Sequence, residues 1–205
     1  MKCGDYMKKV FLDKSISFIT KYKKYSKKDI EKLEYGLEGL YLTITKAIII
    51  IVLAVLLGIL KEVLIVIILF NVIRYTGFGF HAEKSYQCLF SSILYFIFLP
   101  MLLLKFNFSL ETKLIISILC IVSYLLFAPA DTIKRPLPNK KKRIIRKVIT
   151  ILLGIIYTIL LLIFKNNYIS SLFLSSLIIE AIIINPITYK IFKQPYNNYK
   201  NLKLA

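Results

Sequence analysis

The sequence predicts an all-α integral membrane protein of about six hydrophobic helices, some of them short, preceded by amphipathic helices at the membrane interface. Three observations carry this expectation. Hydrophobic residues make up 58% of the 205 residues and the mean hydropathy is +0.70, whereas a soluble domain holds about 45–50% apolar residues. The apolar residues gather in long blocks instead of alternating with polar ones. The 29 Lys and Arg set against 11 acidic residues, a net charge of +18, fall between those blocks. In a nucleic-acid-binding protein such charge forms a face; here it flanks apolar segments, which argues against nucleic acid as a partner.

Residues 1–41 read as an amphipathic, cytoplasmic or interfacial segment. Met7, Val10, Phe11, Phe18, Ile19 and Tyr22 recur at helical spacing among lysines. Ser26-Lys-Lys-Asp29 reads as an N-cap with an acid at the third helical position, opening a second amphipathic helix through Ile30, Leu33, Leu37 and Leu40. Both helices are expected on the membrane surface. Anionic lipids are the expected partner, since each basic group near such a leaflet contributes about 1 kcal/mol.

Residues 42–190 read as a polytopic membrane domain. Its apolar blocks are Leu42–Leu60, Val63–Ile73, Leu89–Leu104, Leu114–Ala128, Val148–Phe164 and Tyr168–Ile187. A crossing helix needs about 17–25 residues, so block 63–73 must borrow flanking residues or thin the bilayer. If all six cross, 25 of the Lys and Arg lie on the side of the N-terminus, and Lys61, Lys105, Lys113 and Lys165 lie on the other. By the positive-inside rule this places both termini, the loop 74–88 and the basic tail 191–205 in the cytoplasm of a multi-pass cell-membrane protein. The loop 129–147 joins Pro129, Pro136 and Pro138 to Asn139-Lys-Lys-Lys-Arg143. It is expected to begin as a rigid connector and end as a charged helix entry that orients the chain and meets lipid headgroups.

Chemistry is expected in the loop 74–88. It is the longest interruption between apolar blocks and contains the one histidine, His81. A cysteine becomes an effective nucleophile when a neighbouring base or cation lowers its thiol pKa from about 8.5, and Cys88 lies seven residues beyond His81. On a straight helix that spacing separates the two by about 10.5 Å along the axis, too far for a hydrogen bond. Gly77 and Gly79 offer a way out, a turn that folds His81 back over Cys88. Ser85 is an alternative nucleophile for the same base, although sulfur is activated at lower cost. Cys3, Cys88 and Cys120 are odd in number and lie in different settings, so no disulfide framework is implied. Glu180, inside an apolar run, is expected to face the protein interior near a polar partner, with Arg74 as one candidate. Motifs for a nucleotide, a metal or another cofactor are absent from the sequence.

Arg74, Gly79, His81, Ser85 and Cys88, followed by Phe127-Ala-Pro-Ala130, Lys134-Arg-Pro-Leu-Pro138 and Ile178-Ile-Glu-Ala-Ile182 with Pro186, resemble accessory gene regulator protein B (AgrB), the membrane endopeptidase family of peptide quorum sensing. The resemblance spans most of the chain, and its specific part is the His-to-Cys spacing in a membrane protein of this size. The pair Glu83-Lys84 departs from it by being more charged. The resemblance implies that His81 and Cys88 are catalytic, with Arg74, Gly79, Ser85 and Glu180 as supporting residues. It implies a short AgrD-like propeptide as substrate, cleaved through a thioester on Cys88 that an internal Cys or Ser displaces to close a thiolactone or lactone. A homodimer is one assembly open to such a protein. The competing class is a non-enzymatic small transporter or peptide-export partner; the few polar residues inside the blocks, Asn71 and Glu180 chief among them, argue against it.

Overall fold

A computed structural model describes residues 3–21, 25–80, 85–132, 136–164 and 167–199, with the side chains of residues 3–7, 27 and 85 outside that description. Every regular element in it is helical. The chain divides into two units, Met1–Leu53 and Ala54–Ala205.

In the first unit, α1 (Cys3–Thr20) packs on the N-terminal half of α2 (Lys27–Leu56). Lys8 Nζ donates to Glu38 Oε1 at 2.7 Å, the rings of Phe11 and Tyr41 lie 5.3 Å apart, and Leu12 is buried. The N-cap read from the sequence forms: the Ser26 hydroxyl accepts from the Asp29 amide at 3.3 Å and donates to its carboxylate at 2.7 Å. The boundary expected at residue 41 does not appear as a break. α2 runs unbroken for 30 residues, because nothing between Ser26 and Leu56 stops a helix; Gly36 and Gly39 merely weaken it. The second amphipathic helix and the first apolar block are therefore one rod.

The second unit comprises α3 (Leu60–Gly77), α4 (Ser85–Ile93), a π-helical turn (Leu94–Phe98), α5 (Leu99–Lys105), α6 (Leu110–Phe127), α7 (Lys140–Ile163), α8 (Asn167–Ile184) and α9 (Pro186–Ile191). Ser109 and Asn139 cap α6 and α7 through their side chains, and Asn185 caps α9 ahead of Pro186. α8 is central, packed against α3, α5, α6 and α7. After its first turn it is apolar on all sides apart from its serines and Glu180. Ser171, Ser175 and Ser176 are buried, and their small volume lets neighbouring helices approach, as is usual where lipid supplies no hydrophobic drive between helices. Tyr124 donates to Leu177 O at 2.7 Å and Tyr157 to Leu69 O at 3.0 Å, which ties α6 and α7 into this core. Cys120 is buried in the same core.

Five of these helical stretches are long and apolar enough to cross a membrane: Lys28–Leu56, Tyr86–Lys105, Leu110–Phe127, Lys140–Ile163 and Asn167–Ile184. The sixth block, 63–73, forms α3, which has 18 residues but includes Lys61, Glu62 and Arg74. Contacts along α3 run the full height of the unit. At one end Tyr168 donates to Glu62 and Lys113 to Asn167 and Ser170; at the other Arg146 donates to Tyr75 O and Tyr189 to Ala130 O. At this second end α3, α6 and α8 all terminate, and there the candidate site lies.

Candidate active site at three helix ends

A helix leaves its last four carbonyls without intrahelical partners, and at this end of the unit three helices satisfy one another. Leaving α3, Phe78 and Gly79 take positive φ angles of 62° and 95°. Residues 77–79 then pair with the segment after α6: Gly79 N donates to Ala130 O at 2.7 Å, and Ala130 N to Gly77 O at 3.0 Å. Phe80 N donates to Ile183 O, at the end of α8, at 3.0 Å. A turn thus follows α3 at the two glycines, which serve different ends, while its expected folding of His81 over Cys88 lies outside the described residues. Gly79 is required by its φ and by crowding, since a Cβ there would sit 2.6 Å from Arg74 Nη1 and 2.7 Å from Ile183 Cγ2. Gly77 is still helical, and the space over its Cα is filled by Glu180: a Cβ would overlap Oε1 and lie 3.1 Å from Cδ.

Arg74, in the last turn of α3, fixes this turn. Its Nη2 donates to Gly79 O at 3.2 Å and to Phe80 O at 2.6 Å. Its Nη1 and both carboxyl oxygens of Glu180 are buried without a hydrogen-bond partner among the described residues. The expected pairing of Glu180 with Arg74 is therefore electrostatic rather than a closed ion pair. Glu180, Tyr189, Cys88 and Tyr95 are the groups whose charge or potential charge bears on Arg74. Cys88 is half-buried on the first turns of α4, and its carbonyl accepts from Ser92. Tyr95, seven residues on and within the π-helical turn, is another group acting electrostatically on that guanidinium. Of the residues expected at the site, Arg74 and Gly79 meet at the turn and Glu180 lies over Gly77 at the end of α3, while Cys88 follows on α4 as one of the groups acting electrostatically on Arg74. His81 lies outside the described residues, as does the side chain of Ser85.

Several contributors were not singled out in the sequence. Phe80 stacks on Phe192 at 4.3 Å and meets the edge of Tyr189. Burial pushes the Tyr189 hydroxyl upward, nearby Asp131 reinforcing this and Arg74 opposing it, so Tyr189 stays a neutral donor to Ala130 O at 3.0 Å and Asp131 O at 3.2 Å. The Asp131 carboxylate accepts from the amides of Asn198, Tyr199 and Leu137, and Arg143 stacks on Tyr199 at 3.2 Å. The beginning of the basic tail is thereby strapped over the segment that pairs with the turn. A lone aspartate after an Ala-Pro-Ala run, among many tail tyrosines, carried no periodic or motif signal that would have marked it.

The family model for accessory gene regulator B matches residues 12–184. A putative AgrB-like protein of Clostridium acetobutylicum is 32% identical over 184 residues, 88% of this chain and 87% of that one. A putative AgrB-like protein of Listeria monocytogenes is 28% identical over 169 residues, 82% of this chain and 83% of that one. Accessory gene regulator protein B of Staphylococcus aureus is 34% identical over 121 residues, 58% of this chain and 63% of that one. No solved structure matches the chain significantly. The aligned span runs from α1 to the end of α8 and takes in the turn, Arg74, Cys88 and Glu180, and on that basis the chain belongs to the accessory gene regulator B family.

Proposed function

We propose that this protein is a membrane-embedded cysteine endopeptidase that cleaves a short AgrD-like quorum-sensing propeptide and assists its cyclisation. The observation that supports the reading is an arginine-braced turn that ends one residue before His81, with Cys88 following in the first turns of α4. His81 takes the thiol proton as Cys88 Sγ attacks the scissile carbonyl. The C–N bond then breaks and the proton passes to the leaving amine, which leaves a thioester. A Cys or Ser side chain of the same propeptide attacks that thioester, the S–C bond to Cys88 breaks, and the ring closes with no external oxidant or reductant. A site at the membrane face keeps water from competing for the thioester. α3, 18 residues or about 27 Å long, comes close to the hydrocarbon thickness of about 30 Å, with its charged residues near the two ends. Counted as a span, it puts the site, both termini and the basic loops in the cytoplasm, against anionic lipid.

The test uses purified protein in vesicles and a synthetic propeptide encoded beside the gene. Mass spectrometry should find an acyl adduct on Cys88 and a cyclic product. Both should persist when Cys3 and Cys120 are replaced by Ala, and both should vanish in Cys88→Ala and in His81→Gln, whose amide cannot take up a proton. Turnover that survives Cys88→Ala would end this reading and favour Ser85 or a non-enzymatic export role.

A further inference from the structure

The segment 192–199, after α9, is tied to the turn after α3 by two separate routes. Residues beyond a last helix stay loose unless something holds them. Here Lys193 and Asn197 even take positive φ angles of 53° and 58°, conformations that persist in non-glycine residues where the surroundings over-determine them. The first route runs through Asp131. It is buried, and its carboxylate accepts from Asn198 N at 2.9 Å and from Tyr199 N at 2.8 Å, while the residue before it, Ala130, is paired with Gly77 and Gly79 in the turn. The second route is direct: Phe192 stacks on Phe80 with centroids 4.3 Å apart and planes inclined by 27°. Phe80 is thereby held on three sides. Its N–H donates to Ile183 O, its carbonyl accepts from Arg74, and its ring lies between Phe192 and the edge of Tyr189. The turn has need of such a hold, because Phe78 carries a bulky side chain at a φ of 62° and would relax if released.

We propose that the segment 192–199 is a clamp that positions the turn after α3, with Phe192 as the positioning residue, acting through Phe80, and Asp131 as the anchor of the clamp. Its bearing on acyl transfer rests on His81 and Cys88 being the catalytic pair. Arg74 and Ile183 fix where the backbone of Phe80 lies; the stacked ring of Phe192 fixes its side chain, and so resists rotation of the chain about that point. The direction in which the chain leaves Phe80 is then set by a contact more than a hundred residues away in sequence. Misplacing a reacting group by about 1 Å can cost about 10²-fold in rate, so a contact that touches no reacting atom can still govern turnover. Such a loss falls on kcat more than on KM, because it concerns the geometry of the reacting groups and not the area of substrate bound.

Amide hydrogen exchange and turnover of the synthetic propeptide, both on the full chain in vesicles, test this together. In Phe192→Ala the amides of residues 77–80 should exchange at least about 10-fold faster than in the parent while those of α8 keep the parent rate, and kcat should fall by about 10-fold to 10²-fold with KM nearly unchanged. Phe192→Tyr keeps the ring and should restore both. Asp131→Asn keeps the shape but sets an amide N–H against the donors of the tail, so it should loosen tail and turn together; it carries the test if Phe192→Ala fails to insert. Parent exchange at residues 77–80 with faster exchange at 192–199 would mean that the tail ties down only itself. Faster exchange throughout α3, α6 and α8 would mean a general loss of stability, and a loosened turn with parent turnover would mean that its position does not matter; each of the three overturns the proposal. If the turn loosens as expected but the parent protein leaves no propeptide adduct on Cys88, the clamp stands and the propeptide reading falls.

Discussion

Replacing Gly77 by Ala tests whether Glu180 occupies the space assigned to it. At an open helical position this change stabilises by about 1 kcal/mol, because Ala is the better helix former. Here the new methyl would overlap Glu180 Oε1 and lie 3.1 Å from Cδ and 3.3 Å from Thr150 Cγ2. Glu180 is fully buried, so its carboxyl group cannot turn out into solvent. Overpacking of this kind costs about 1–3 kcal/mol, and the net expectation is a loss of up to about 2 kcal/mol after the helix gain is taken off. In a Glu180→Ala background the overlap is gone and Gly77→Ala should turn neutral or stabilising, a coupling of about 1–3 kcal/mol. In Glu180→Gln the shape is kept and the charge removed, so Gly77→Ala should remain costly, which separates sterics from electrostatics. Cys120 supplies the assay. It is buried in the core, and a thiol-reactive dye reports its exposure on heating in detergent; for a unit of this size each kcal/mol shifts Tm by about 2–4 °C. Equal cost of Gly77→Ala in all three backgrounds would refute the placement of Glu180 over the end of α3.

Gly79→Ala should lose most acyl-transfer activity, measured as Cys88 adduct formation, because a positive φ costs a side chain about 1–2 kcal/mol and the Cβ would push against Arg74 Nη1 and Ile183. Thiols introduced at Lys105 and at Asn139, with Cys88 replaced by Ser, should label from opposite sides of the membrane, Lys105 from outside intact cells; labelling of Asn139 from outside would overturn the orientation. Tyr189 should make stability fall in alkali. Burial raises its pKa above the unfolded value of about 10, so the folded state holds a proton that the unfolded state releases, and the contribution is complete below about pH 10 and declines above it by up to about 1.4 kcal/mol per pH unit. Tyr189→Phe should melt lower at pH 8 yet decline less steeply above pH 10; an unchanged alkaline slope would count against Tyr189 as the titrating group.

The sequence carried the fold where the physics is local. Block lengths gave the apolar helices, and Ser26, Asn139 and the glycine pair marked their places because caps and positive φ angles depend on the residue itself. At residue 41 the composition changes from amphipathic to apolar while α2 continues unbroken, because a change in what a helix faces need not interrupt the helix. The sequence read Gly77 as a source of conformational freedom, when its missing Cβ serves a carboxyl group more than a hundred residues away. Glu180 was legible as an interior group because charge in an apolar run has few other places to go. Asp131, Tyr189 and Phe192 were not, since their significance lies in contacts between the tail and the segment after α6, and neither segment has a period to betray it.

The polar groups of the site follow from where it is built. Three helices end together in a largely apolar setting, and their terminal carbonyls cannot all turn to water, so each unmade hydrogen bond would cost several kcal/mol. Side chains and crossing backbone segments meet the need: Arg146 serves Tyr75 O, Arg74 serves Gly79 and Phe80, Tyr189 serves Ala130 and Asp131, Thr188 serves Ile182, and Phe80 N serves Ile183. Positive φ at the non-glycine Phe78, a strain of about 1–3 kcal/mol, is held by this mesh. Among the described residues, the buried side-chain atoms left without partners are Arg74 Nη1 and the two oxygens of Glu180. Glu180 is the foremost charge acting on that guanidinium, so the turn after α3 is braced by an arginine whose own counter-charge lies more than a hundred residues along the chain.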